Sequence, residues 1–184
     1  MNKRLKRCIR YCLNVSFGVL LLAGAGNRAF AAPVASLNSP APVFSAVAID
    51  GKAVGSARLA GKVYIVNFFA SWCPPCRSEI PDMVALQNKY SANGFTFIGV
   101  AVNETVPTIK SFIADNRISY PVVMANDQLT NYYGRFVDGG LQAIPTSFVV
   151  SSSGRIIQVI TGAKSKAEFE KIILAALRKP GKTK

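Results

Sequence analysis

Cys73 and Cys76 stand three positions apart in the stretch Ser71-Trp72-Cys73-Pro74-Pro75-Cys76-Arg77, between an apolar run with strand character and a segment with helical periodicity. Two thiols at that spacing, at the start of a helix, fall on one face of the first turn at a separation that a disulfide can bridge. The pair can open and close without refolding the chain. The first turn also leaves backbone N–H groups unpaired at the positive end of the helix dipole, which favours a Cys73 thiolate and lowers its pKa below the free value of about 8.5. Cys73 is therefore the expected attacking sulfur. Cys76, one turn deeper, suits the resolving thiol that attacks a mixed disulfide from within. Pro74 and Pro75 are tolerated in a first turn and stiffen the chain around the sulfurs. They also tune the redox potential, with a sign that the residue types alone do not give. Arg77 either adds positive charge near Cys73 or sits in solvent, and solvent is the expected place.

A Cys-x-x-Cys pair can also be half of a zinc site, a structural disulfide or a soft Cu(I) site. Zinc takes four ligands as a rule, but the sequence has no histidine, and its other cysteines, Cys8 and Cys12, fall in an N-terminal segment expected to be removed. No resident metal or other cofactor is expected. Cu(I) would need Met83 or Met124 beside the two thiolates, which keeps a copper chaperone as an alternative from another functional class. Titrating copper against thiol-exchange activity separates the two.

The elements that must hold the pair follow from periodicity. Val63–Phe69 is apolar on both faces and reads as a central strand, interrupted by Asn67, whose amide needs partners. The helix after Cys73 puts Cys76, Ile80, Met83 and Tyr90 along one face, carries Pro81 as an expected kink, and ends at Asn93-Gly94. Phe95 opens a second buried strand with Asn103-Glu104 at its carboxyl end, where catalytic groups of α/β sheets collect. A short helix at 106–116, a third strand at 120–124 and a helix at 127–133, capped by Asp127 and closed by Gly134, come next. Pro145 sits near the start of a strand running to Val150, residues 155–160 return antiparallel, and Ser165 with Glu168 opens a last helix in capping-box spacing. Ahead of all this, residues 44–57 read as a hairpin about Asp50-Gly51. The sum is an α/β domain with a mixed sheet.

Residues 1–31 combine a basic head, an apolar run over 13–26 and Ala29-Phe30-Ala31, the pattern of a secretory signal peptide. The run is shorter than the roughly 20 residues of a membrane span, so cleavage is favoured over an uncleaved anchor. The whole chain carries 22 Lys and Arg against 9 Asp and Glu; residues 1–31 hold six of the bases and no acid, so cleavage leaves 153 residues at +7. That is one domain's length. Small, proline-rich, uncharged residues 32–43 read as a flexible lead-in, 44–178 as the domain and 179–184 as a solvated basic tail. No aromatic interleaving marks a nucleic-acid site. Export and two remaining cysteines place the protein in an oxidising compartment, the periplasm, where contact with the membrane depends on a retained leader.

Trp72-Cys73-Pro74-Pro75-Cys76 after an apolar strand, Pro81, and Ile144-Pro145-Thr146 before the closing hairpin resemble the thioredoxin fold. Asp50-Gly51-Lys52, Asn67, the inserted 106–116 helix and Tyr133-Gly134 are similar to the TlpA/ResA branch of exported thiol-disulfide oxidoreductases. The resemblance implies a cis bond before Pro145, with the Ile144 backbone pairing an extended substrate beside Trp72, Pro74 and Pro75 while Cys73 attacks its disulfide. Thioredoxin proper has a buried aspartate at the position of Asn67, and the resemblance implies Glu104 as the carboxylate that takes over its proton. It further implies disulfide-containing clients, apocytochrome c or a copper-site subunit of cytochrome oxidase, and a membrane thiol-disulfide donor. An oxidase or isomerase of the same fold is the rival within the class.

Overall fold

The structure, a computed structural model, describes residues 35–178. The expected signal segment 1–31 and the basic tail 179–184 lie outside the described residues. A hairpin of β1 (Ser45–Val47) and β2 (Ala53–Gly55) precedes a five-stranded sheet of β3 (Val63–Phe69), β4 (Phe95–Ala101), β5 (Val122–Met124), β6 (Thr146–Val150) and β7 (Ile156–Thr161). Their order is β5-β4-β3-β6-β7, with β4 parallel to β3, β5 parallel to β4, and β6 and β7 antiparallel to their neighbours. Among the described residues four helices, α1 (Pro74–Tyr90), α2 (Val106–Asp115), α3 (Asp127–Gly134) and α4 (Lys166–Leu177), complete the thioredoxin-like fold. None of them is long and apolar enough to cross a membrane.

β3 is buried along its whole length because both faces are covered. On one face Ile80, Met83 and Leu86 of α1 and Phe169 of α4 pack with Ile65 and Phe97. Phe97 meets Phe95 and Phe169 edge-on, at 4.9 and 5.7 Å between ring centres. On the other, Phe68, Tyr133 and Phe148 form a triangle with centres 4.9 to 5.8 Å apart. Fully burying a side chain of this size is worth roughly 1.5–3 kcal/mol, so the sandwich fixes β3 firmly. Register then aligns three chain ends: Phe68 lies opposite Val100 on one side and Thr146 on the other. The segments after β3 and β4 and the one before β6 therefore meet at a single edge of the sheet.

Two details depart from the sequence reading. The lead-in is held rather than free from Ala35 onward. Asn38 N–H donates to the Ile156 carbonyl at 2.6 Å, Ile156 N–H to Ser39 at 3.0 Å and Ala41 N–H to Gly154 at 2.8 Å. The Arg155 guanidinium also donates to the Asn38 carbonyl. The reason lies in β7, an edge strand whose unpaired backbone groups take the lead-in as a partial cover. The second departure is the cap of α3: Asn126, not Asp127, accepts from Leu129 N–H at 2.8 Å, and Gly134 is helical instead of terminating the helix. Pro81 lies inside α1, which extends to Tyr90.

Candidate active site

Cys73 is the N-cap of α1, with extended backbone, and Pro74 and Pro75 occupy the first two helical positions. The turn is closed by Cys73 N–H on the Ala70 carbonyl at 3.2 Å and Arg77 N–H on the Cys73 carbonyl at 3.0 Å. Cys73 and Cys76 are joined as a disulfide, their Cα atoms 5.3 Å apart. Cys76 is 0 % exposed and Cys73 4 %, so the narrow opening in the surface leads to Cys73. Trp72 beside it is 59 % exposed. The Ile144–Pro145 bond is cis, and the Cys73 sulfur lies 3.8 Å from the Ile144 carbonyl oxygen. With its sulfur in the disulfide, Cys73 has no proton to donate there, so this is a packing contact. Trp72 and Ile144 also share the wall of a groove of about 410 Å³, floored by Phe68 and Leu141 and edged by Asn103, Asn126 and Gln142.

The loop between β3 and α1 is pinned at one residue, Ser71, through the two peptide units that flank it. Ser71 N–H donates to Glu104 Oε1 at 2.5 Å, and the Ser71 carbonyl accepts from Arg77 at 3.0 Å. The Arg77 guanidinium lies over the Phe112 ring of α2, 5.5 Å from its centre. Arg77 is exposed, as the sequence reading expects, and from the surface it also holds this loop through the two contacts. Glu104, which the resemblance offers as the carboxylate serving the deeper thiol, is half-buried and engaged with the Ser71 backbone. Arg77→Ala should cost about 1–2 kcal/mol in urea unfolding, the sum of an exposed charge-assisted hydrogen bond and a ring contact. Arg77→Lys should recover less than half, since an ammonium lacks the flat fork that stacks and donates together. An unchanged midpoint would return Arg77 to the solvated class.

A second carboxylate sits beneath the pair. Glu79 is 2 % exposed and belongs to the buried face of α1 with Cys76, Ile80 and Met83. Its Oε1 accepts from the Asn67 side-chain amide at 2.8 Å, and its Oε2 from Lys164 N–H at 3.2 Å. Asn67, fully buried in β3, also donates to Ser147 Oγ of β6 at 2.9 Å. Loss of water outweighs these donors and the Lys164 charge, and pushes Glu79 up from 4.5 to about 7. It is therefore poised to exchange a proton at neutral pH. Sequence reasoning passed over Glu79, although the signal was present: three residues beyond Cys76 is the same helical face. An acid on an apolar stripe must be buried with partners, and Asn67 was the amide seeking one.

The comparisons with known proteins fit this geometry. A family model described as Redoxin matches residues 36–173, spanning all of the sheet and the pair. The chain belongs to the Redoxin family. Among its relatives, a thiol-disulfide oxidoreductase ResA of Bacillus cereus is 31% identical over 134 residues, covering 73% of this chain and 75% of the relative. A thiol:disulfide interchange protein of the thioredoxin family from Chlorobium tepidum TLS superposes with a TM-score of 0.75 at 52% identity, over 78% of this chain and 99% of that one. A second Chlorobium tepidum structure, titled a putative thiol:disulfide interchange protein DsbE, gives 0.69 at 30% identity, over 77% and 98%. This Redoxin chain is a thiol-disulfide oxidoreductase of the ResA/DsbE type, with its cysteine pair at disulfide distance.

Proposed function

We propose that the protein reduces disulfides of client proteins outside the cytosol. The observation that carries this reading is the asymmetry of the pair: a barely open Cys73 at a helix N-terminus, a closed Cys76 one turn below, and an exposed Trp72 beside the Ile144–Pro145 segment. The Cys73 thiolate attacks one client sulfur and expels the other as a thiolate, forming a mixed disulfide. Cys76 then gives up its proton and attacks the Cys73 sulfur, releasing the second client thiolate and leaving the Cys73–Cys76 disulfide. Two electrons pass to the client, and a membrane dithiol donor restores the protein. An extended client segment lies against Trp72, Pro74, Pro75 and the Ile144–Pro145 backbone. The proton of Cys76 goes to Glu79, while Glu104 braces the loop that carries Trp72.

The two prolines support the reducing direction by thinning the donors that the helix N-terminus would otherwise offer the Cys73 thiolate. Pro74 and Pro75 have no N–H, and the N–H of Arg77 is spent on the Cys73 carbonyl, so ahead of it only Cys76 offers a main-chain donor in the first turn. A thiolate with few donors is a weakly stabilised one. Couples are oxidising when their reduced form is stabilised, so this arrangement favours a reducing couple. The resemblance carries the client class, apocytochrome c or a copper-site subunit of cytochrome oxidase. The signal-like residues 1–31 support a periplasmic location. The deciding experiment is the reduction potential of the Cys73/Cys76 couple. A value below roughly −200 mV fits a donor, and one near the −120 mV of strong oxidants would make the protein an oxidase.

A further inference from the structure

At the end of the sheet opposite the cysteine pair lies a groove of about 630 Å³ that disulfide exchange does not use. One wall is the β1–β2 hairpin with the 3-10 turn Ser56–Leu59, and the other is the carboxyl half of α2 with the segment leading to β5. Its floor is aliphatic: Val54, Leu59, Ile98 and Ile118 are buried there. Its rim is cationic, with Lys52, Arg58 and Lys62 on one side and Lys110 on the other. Asp50, the one acid among the lining residues, is bound to Lys52 at 2.9 Å. Arg58, Lys62 and Lys110 make no ion pair among the described residues. The site thus offers uncompensated positive charge around a trough with apolar walls.

The neighbouring sheet edge narrows what can occupy it. β5 pairs only with Gly99, Val100 and Ala101, so the first part of β4 has no strand on that side. An exposed edge of this kind ordinarily invites an extended peptide. Here the Phe97 groups on that edge are already bonded: its N–H donates to the buried Gln87 Oε1 at 2.8 Å, and its carbonyl accepts from Thr96 Oγ1 at 3.0 Å. A peptide would bring a run of backbone groups into a trough where, among the described lining residues, the Tyr120 hydroxyl is the one buried side-chain group still unpaired, leaving the others unmet at about 1–3 kcal/mol for each one buried. An alkyl chain carries no such demand. The volume lies within the roughly 300–1,000 Å³ of small-molecule sites.

We propose that this groove binds one long-chain carboxylate, its alkyl chain on the aliphatic floor and its head group among the rim cations. The test titrates the full chain with dodecanoate below its micelle-forming concentration, with dodecanol and dodecyltrimethylammonium in parallel, by calorimetry and by methyl NMR of the isoleucines. Dodecanoate should bind about tenfold or more tightly than dodecanol, and the ammonium should not bind. Shifts should centre on Ile98, Ile113 and Ile118 and spare Ile144 beside the cysteine pair. The double variant Arg58→Glu/Lys110→Glu should lose about tenfold or more in dodecanoate affinity at unchanged disulfide-exchange activity. Equal binding of dodecanol and dodecanoate, or affinity that survives the charge reversal, would overturn the proposal. So would vesicles of phosphatidylglycerol binding through these cations while dodecanoate does not, which would make the groove a membrane contact.

Discussion

Replacing Cys76 by serine should turn the protein into a covalent trap. A client disulfide attacked by Cys73 then has no second thiol behind it, and a serine hydroxyl is neither ionised nor able to displace a thiolate at neutral pH. Turnover should fall by about 10³-fold or more, while a mixed disulfide through Cys73 accumulates to one client per protein. Mass spectrometry of non-reduced samples, after mixing reduced protein with an oxidised client peptide, reads both effects. Cys73→Ser should give the same loss of turnover and no adduct, because Cys76 is wholly enclosed beneath the first turn of α1. Adducts on Cys76 in Cys73→Ser, with none in Cys76→Ser, would reverse the order of attack.

What could be read from the sequence was local. The strand-and-helix order, the hairpin about Asp50-Gly51 and the capping box of Ser165 and Glu168 each depend on residues within one turn or one strand of each other. The cis bond before Pro145 was legible only through the resemblance, since spacing gives no preference for it. The unread features depend on distant partners. Arg77 is exposed as read, but its two contacts were not legible, because Ser71 is six positions away and the Phe112 ring thirty-five. The lead-in looked flexible because its composition is small and uncharged, yet its N–H groups pair with Gly154 and Ile156 across more than a hundred residues. Glu79 is an intermediate case, since its helical position announced burial, but the Lys164 N–H that holds its second oxygen comes from the far end of the domain.

Glu79→Gln should change two pH dependences at once, and the second decides its role. The first is stability. Burial raises the folded-state value from 4.5 to about 7, a gap corresponding to about 3 kcal/mol. Below pH 4.5 folded and unfolded chains both hold the proton and the contribution is fully present. Between 4.5 and about 7 the unfolded chain gives it up while the folded one retains it, so stability falls as pH rises; above that it is constant. Glu79→Gln should lack this decline in urea unfolding of the oxidised protein. Its absolute stability is a poorer guide, because glutamine presents one acceptor oxygen to the two donors of Asn67 and Lys164 and leaves one unpaired. The second dependence is exchange. If Glu79 accepts the Cys76 proton during resolution, the rate rises as Glu79 ionises near pH 7, and Glu79→Gln loses that limb and about 10²-fold in rate at pH 7. A carboxylate buried only to support the fold would alter the unfolding curve and leave the rate profile unmoved. The same comparison with Glu104→Gln should give the opposite pattern, a profile of unchanged shape, because the hydrogen bond Glu104 makes is to the Ser71 N–H; a shifted profile would give Glu104 the proton-carrying role that the resemblance implies.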